Sequence, residues 1–248
     1  MKLTILGCAG TFPGATSGCS SYLVEHDGYR VMIDCGNGAT GALQRYGGLL
    51  DLDAVILSHL HPDHCIDLIA YAYARFYHPK GRPGPLPVWG PADTRRRLAS
   101  VGDKADGDWL DQVYDWKAYG QERFEVGPFA VEARRTAHPI ECYALRVGAG
   151  GKTLAYSADT GPCDSLVQTA AGSDLFLCEA SFVETDSNPP AVHMTGRQAG
   201  QAATDAGVSS LVLTHLVSWH DENVVLAEAK ETFAGDIELA RSGAVYTL

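Results

Sequence analysis

The sequence predicts an α/β fold of two mixed sheets packed together with helices outside. Short apolar strand-like runs recur through both halves, helical periodicities separate them, and no linker divides the 248 residues. In the first half, residues 3–6, 21–25, 29–33, 55–57 and 86–89 read as strands, with helices near 39–46, 67–76 and 92–100. The second half repeats the rhythm. Strands are expected at 129–136, 143–147, 153–157 and 175–178, then a helix at 195–206, a strand at 210–214, a helix at 224–233 and two short closing strands.

A single domain over 1–248 is expected, because repeats and low-complexity runs are absent and the longest Pro/Gly-rich stretch, 79–91, is short enough for a surface loop. No apolar segment is long enough to span a bilayer, and residues 1–7 form a strand pattern too brief for a signal sequence. A soluble, cytoplasmic protein without membrane partners is the expectation. Seven cysteines without C-x-x-C spacing fit reduced thiols. The formal charge of −11 argues against a long nucleic acid, since nothing basic runs longer than Arg95-Arg96-Arg97, which reads as a solvated helix face. A small anion held by metals remains compatible with it.

The densest chemical signal is His59-Leu60-His61-Pro62-Asp63-His64, with three imidazoles and a carboxylate in six residues. Such donors suit first-row metals. The apolar run before it reads as a buried strand ending at Ser58, so the donors sit on the following loop. His59 and His61 can point the same way from an extended segment, and Pro62 then turns the chain so that Asp63 and His64 face elsewhere. One run can thus serve two adjacent metals. Further donors are expected at the ends of other strands: His138 after 131–136, Asp159 after 153–157 and His215 after 211–214.

This order of residues resembles the metallo-β-lactamase-fold hydrolases, in particular their ribonuclease Z-like branch. The resemblance spans nearly the whole chain: Ile33-Asp34-Cys35-Gly36, the His-x-His-x-Asp-His run, His138, Ser157-Ala158-Asp159-Thr160-Gly161, Cys178-Glu179-Ala180-Ser181-Phe182, His193-Met194-Thr195 and Leu213-Thr214-His215. Around Gly41-Ala42-Leu43-Gln44-Arg45, Gly90-Pro91 and 156–163 it is similar to actinobacterial cyclic-nucleotide phosphodiesterases. The resemblance implies a four-layer αββα sandwich and a homodimer. It implies two divalent ions, zinc first, with manganese or iron also suited. His59, His61 and His138 would hold one ion, Asp63, His64 and His215 the other, and Asp159 would bridge. Asp34 would steady the ligand loop without touching metal. His61 stands where oxygen-reducing diiron relatives carry glutamate, which favours hydrolysis.

Two metals about 3.5–4 Å apart lower the pKa of a shared water, so a bridging hydroxide can attack phosphorus without a separate base. The catalytic candidates are Asp63, His193 and Glu179. The resemblance implies that His193, paired with Glu179, faces the scissile phosphate, and a carboxylate beside the imidazole suits it to protonate the leaving oxygen. Ribonuclease Z grips RNA with a long inserted arm and a basic first loop. Here residues 10–18 carry no lysine or arginine, and Leu216-Val217-Ser218-Trp219-His220 lacks the expected arginine. Trp219 and His220 are candidate substrate contacts, with Trp219 stacking on a base; Arg75, Tyr77 and His78 are further pocket candidates. The expected activity is hydrolysis of a small nucleotide phosphodiester, 3′,5′-cyclic AMP to 5′-AMP foremost. The alternatives are a ribonuclease Z-type endonuclease or 3′ exonuclease, a lactone or thioester hydrolase, and a catalytically silent metal-bound module.

Overall fold

The computed structural model describes residues 1–81, 83–102, 107–120, 123–185 and 187–248, so much of the loop at 102–108 lies outside the described residues. The first half lays down β1 (Lys2–Ala9), β2 (Gly18–Cys19), β3 (Ser21–His26), β4 (Tyr29–Ile33), α1 (Ala39–Leu43), β5 (Ala54–Ile56), α2 (Pro62–Cys65), α3 (Asp67–Phe76), β6 (Leu86–Gly90), α4 (Thr94–Ala99) and β7 (Tyr114–Ala118). The second half adds β8 (Arg123–Val126), β9 (Phe129–Arg135), β10 (Tyr143–Ala149), β11 (Lys152–Tyr156), α5 (Asp164–Ala170), β12 (Leu175–Glu179), α6 (Gly196–Ala206), β13 (Ser210–Thr214), α7 (Glu222–Lys230), β14 (Asp236–Leu239) and β15 (Val245–Thr247).

Two mixed sheets result. One runs β15-β1-β3-β4-β5-β6-β7 with β2 beside β1, and the other runs β14-β13-β12-β11-β10-β9-β8. In each, an antiparallel part gives way to parallel strands: β4 to β7 in the first sheet and β11 to β14 in the second.

Side-chain alternation along the strands builds the layers. Leu3, Ile5, Val24, Val31 and Ile56 of the first sheet meet Phe129, Val131, Leu145, Leu154 and Leu177 of the second in one inter-sheet core. The opposite faces carry Leu6, Leu23, Met32 and Val55 against Leu43, Leu68, Tyr71 and Leu98 from the helices. On the far side, Phe176, Cys178 and Leu213 pack on Leu166, Ala199, Ala203 and Val225. The expected helices-outside sandwich is therefore the observed one.

Several elements escaped the sequence. β7 alternates buried Tyr114 with the polar pair Asp115 and Lys117, which bind each other at 2.8 Å and mask the apolar signal. α5 has seven residues and buries only Leu166, Thr169 and Ala170, too short for a helical period to show. The helix expected at 39–46 ends at Leu43. Among the described residues no helix is long and apolar enough to cross a membrane.

Phe176 is fully buried between β12 and the outer helices. Phe176→Ala should destabilise the fold by about 3–5 kcal/mol, read from the midpoint of urea unfolding at constant metal load.

Candidate metal centre

Every predicted donor follows the carboxyl end of a strand. After β5, the extended segment at His59 is pinned to the second sheet by a bridge to Cys142. His61 (φ −66°, ψ 147°) is still extended, and Pro62 then opens the single helical turn α2, which carries Asp63 and His64. Asp34 after β4, Ala158 after β11 and His215 after β13 all adopt left-handed backbone, with φ of 54°, 52° and 55°. Non-glycine residues hold that conformation at a cost on the order of 1 kcal/mol each, so the surrounding contacts must impose it. Gly36 shows the crowding: a Cβ there would lie 1.9 Å from the Asp63 carbonyl oxygen.

The donors form two groups facing one carboxylate. His59 Nε2 and His138 Nε2 each lie 3.2 Å from His61 Nδ1, and Asp159 Oδ2 is 3.4 Å from His59 Nε2 and 3.9 Å from His138 Nε2. On the other side, His215 Nε2 is 3.1 Å from both His64 Nε2 and Asp63 Oδ2, while Asp159 Oδ1 is 3.2 Å from His64 Nε2 and 3.5 Å from His215 Nε2. Metal–nitrogen bonds of about 2.0–2.1 Å set tetrahedral edges of about 3.3–3.4 Å, within the range of 3.1 Å to 3.9 Å spanned by these separations. Asp159 Oδ1 is buried without a hydrogen-bond partner. An orphaned carboxylate oxygen facing two imidazole nitrogens fits a cation between them, and the whole donor set fits two divalent ions.

Hydrogen bonds fix which ring nitrogen faces inward. His138 Nδ1 donates to the Val192 carbonyl oxygen at 2.9 Å, and His64 Nδ1 donates to Asp34 Oδ2 at 2.8 Å. Ser58 Oγ donates to the same Asp34 oxygen at 2.7 Å and so accepts from His59 Nδ1 at 3.0 Å. Glu179 repeats the device in the second half. It accepts from His193 Nδ1 at 2.9 Å and from Ser181 Oγ at 2.9 Å, and Ser181 Oγ in turn accepts from His215 Nδ1 at 2.6 Å. Each buried carboxylate thus holds one histidine directly and a second through a serine, leaving the Nε2 of His59, His64 and His215 for metal. Ser58, Ser181 and Tyr156, which donates to Asp34 at 2.8 Å, were not anticipated. Only the position of the serines beside His59 and Glu179 hinted at them.

The electrostatics divide the ligands: burial disfavours a charged His64, yet Asp159 and Asp34 hold it well above its usual value. Burial lowers His61 and His138 and pushes His59 down to about 4, keeping them neutral as ligands must be. Burial opposes ionisation of Asp63 and Asp159, but His215 and His64 outweigh it and hold both carboxylates well below their usual range. At His193 burial disfavours charge, yet the Glu179 carboxylate prevails and carries the imidazolium up to about 9.

The rim sorts the remaining candidates. The Thr11 amide donates to Asp63 Oδ2 at 2.9 Å, which brings the neighbouring Phe12 to the centre's edge, where it packs on Trp219 at a ring distance of 4.9 Å. Trp219 is 64% exposed, and His220 lines an adjoining cavity of about 230 Å³ with residues 14–17. Arg75 is a correction: it is buried, its Nη2 donates to the Gly84 carbonyl and its guanidinium lies over Tyr71, so it supports α3 and does not line the cleft. Tyr77 stacks on Tyr73 at the end of the same helix, and His78 accepts from the Lys80 amide. Neither contact reaches a metal donor.

Residues 29–216 match the family model described as a beta-lactamase superfamily domain. The chain is 39% identical to the uncharacterized protein Rv1339 of Mycobacterium tuberculosis over 244 residues, 96% of this chain and 88% of that one. It is 32% identical to the probable metallo-hydrolase YhfI of Bacillus subtilis, covering 99% of both, and the crystal structure of YhfI superimposes with a TM-score of 0.88. Ribonuclease Z of Myxococcus xanthus is 28% identical over 98% of this chain and 96% of that one. The chain belongs to the beta-lactamase superfamily, and it is a metal-dependent hydrolase related to YhfI and ribonuclease Z.

Ser181→Ala leaves His215 Nδ1 and one Glu179 oxygen short of a partner, so affinity for one of the two ions should fall about 10–100-fold, whereas Ser181→Thr should retain it. Competition with a chromophoric chelator reads both.

Proposed function

We propose that this protein is a binuclear phosphodiesterase for small nucleotides, with 3′,5′-cyclic AMP its leading substrate and 5′-AMP the product. The observation that carries the reading is the Glu179–His193 pair beside the divided donor set: ligand atoms of Asp159, His193 and His215 all lie within 4.8 Å of one another. Bound divalent ions, zinc foremost with manganese or iron also suited to these donors, would supply Lewis acidity and an activated water.

The chain's own residues do the rest. Asp159 divides its two oxygens between the donor groups and fixes their separation. Glu179 holds His193 Nδ1–H, so its Nε2 can carry a second proton and deliver it to the leaving oxygen. Phe12 and Trp219 offer a base an aromatic surface worth about 1–3 kcal/mol. The absence of lysine and arginine from residues 10–18 weighs against a long RNA, although the kinship with ribonuclease Z keeps RNA as the second reading. The cysteines Cys8, Cys19, Cys35, Cys65, Cys142, Cys163 and Cys178 are free thiols, which supports a cytoplasmic location.

Metal-loaded protein offered cyclic AMP, a precursor tRNA and an acyl lactone should turn over cyclic AMP fastest. Faster cleavage of the tRNA would replace this reading with the ribonuclease one. His193→Ala should lower kcat for cyclic AMP about 10²–10⁴-fold with two ions still bound by elemental analysis, since His193 is proposed to move a proton and not to hold metal.

A further inference from the structure

On α4 three consecutive guanidiniums meet different fates. Arg95 binds Asp111 at 2.7 Å and Asp108 at 3.0 Å, and Arg96 pairs with Asp93 on its own helix. The Arg97 guanidinium has no ion-pair or hydrogen-bond partner among the described residues; only its backbone is bonded, to Asp93 and Ser100. It faces a cavity of about 450 Å³ whose wall includes His61, a donor of the metal centre, together with Leu60, Ile140, Ser100 and the Asp93–Arg96 pair, which cancels its own charge and leaves Arg97 to set the sign of the site. The triplet lies on the solvated face the sequence suggested, with Arg96 and Arg97 exposed, and the fold sets one free cation and one paired neighbour of that face in a concave site against the first donor group. In a chain of net charge −11, positive charge at that place is not background. Leu60 and Ile140 reduce the water around an anion seated there, which strengthens its pairing with Arg97.

We propose that this cavity is a subsite for a second phosphate of the substrate, so that the enzyme also hydrolyses linear 5′-phosphorylated dinucleotides. The inference rests on the phosphodiesterase reading and extends it. Cyclic AMP has a single phosphate and leaves the cavity empty. In a dinucleotide such as pApA the terminal phosphate stands one ribose away from the linking one. With the linking phosphate at the donors His59 to His215, the terminal phosphate reaches Arg97 past His61, and a base can rest on Phe12 and Trp219 on the opposite side. Hydrolysis consumes one water: its oxygen forms the new bond to phosphorus, the bond to the 3′ oxygen breaks, that oxygen takes a proton, and two molecules of 5′-AMP result.

The test compares pApA with ApA, which lacks the 5′-phosphate, on metal-loaded wild type and Arg97→Gln, with cyclic AMP assayed alongside. Binding of a pApA analogue carrying methylene in place of the 3′ oxygen is followed by calorimetry. In wild type, kcat/KM for pApA should exceed that for ApA by at least about tenfold, and Arg97→Gln should bring the ratio toward one. Affinity for the analogue should fall by a similar factor in the variant. Equal turnover of pApA and ApA by wild type, or a preference and affinity that survive in Arg97→Gln, overturns the subsite. If cyclic AMP is hydrolysed and neither dinucleotide is, the subsite falls while the phosphodiesterase reading stands. No turnover of any of the three removes both.

Discussion

The buried carboxylate of Asp159 is the constraint around which the rest of the site is arranged. It is 2% exposed, its Oδ1 accepts no hydrogen bond, and both oxygens face imidazole nitrogens. A charge so placed costs several kcal/mol unless something compensates it. Among the described residues no lysine or arginine pairs with it. The fold offers instead three nitrogens on one side of the carboxylate and two nitrogens with the oxygen of Asp63 on the other, an arrangement that divalent cations complete. The strained backbone at Ala158, immediately before Asp159, aims the carboxylate between those groups.

Asp34 and Glu179 are the second tier of that arrangement, one from each half of the chain. Both are fully buried and both accept four donors: Ser58 N and Oγ, His64 Nδ1 and Tyr156 OH at Asp34, and Thr160 N, His193 Nδ1 and Ser181 N and Oγ at Glu179. With four donors on each, these carboxylates have little freedom to reorient, and the histidines they hold inherit that rigidity. Glu179 therefore ties the orientation of His193 to that of His215. The proposed proton donor and a candidate metal ligand share one anchor.

The donors were legible in the sequence because metal chemistry restricts residue types and the run at His59 to His64 concentrates them. The later donors His138, Asp159 and His215 were legible because each ends an apolar strand. Hydroxyl relays were not, since Ser58 and Ser181 are ordinary residues until a fold sets them between a carboxylate and an imidazole. Nearness in sequence misled at Arg75: ten residues of α3 separate the donor loop from its far end, and the helix turns that side chain into the interior. Arg97, further along the chain, returns beside His61 because β6 leads back to the same sheet end. Edge strand β7 and short α5 stayed hidden for want of length and contrast.

The donors come from both sheets: His59, His61, Asp63 and His64 follow β5, whereas His138, Asp159 and His215 follow β9, β11 and β13. A ribosome releases them in that order. The first four emerge together as an incomplete chelator; the His59 group gains His138 after β9 and Asp159 after β11, and the Asp63 group is completed last, with His215 after β13. Strand β15, which zips onto β1, is made later still. Folding of this chain is dominated by pairings distant in sequence, a topology that forms slowly. An ion captured after His215 has emerged fastens the two sheets along one rim, so metal uptake is also a late clasp on the nascent sandwich.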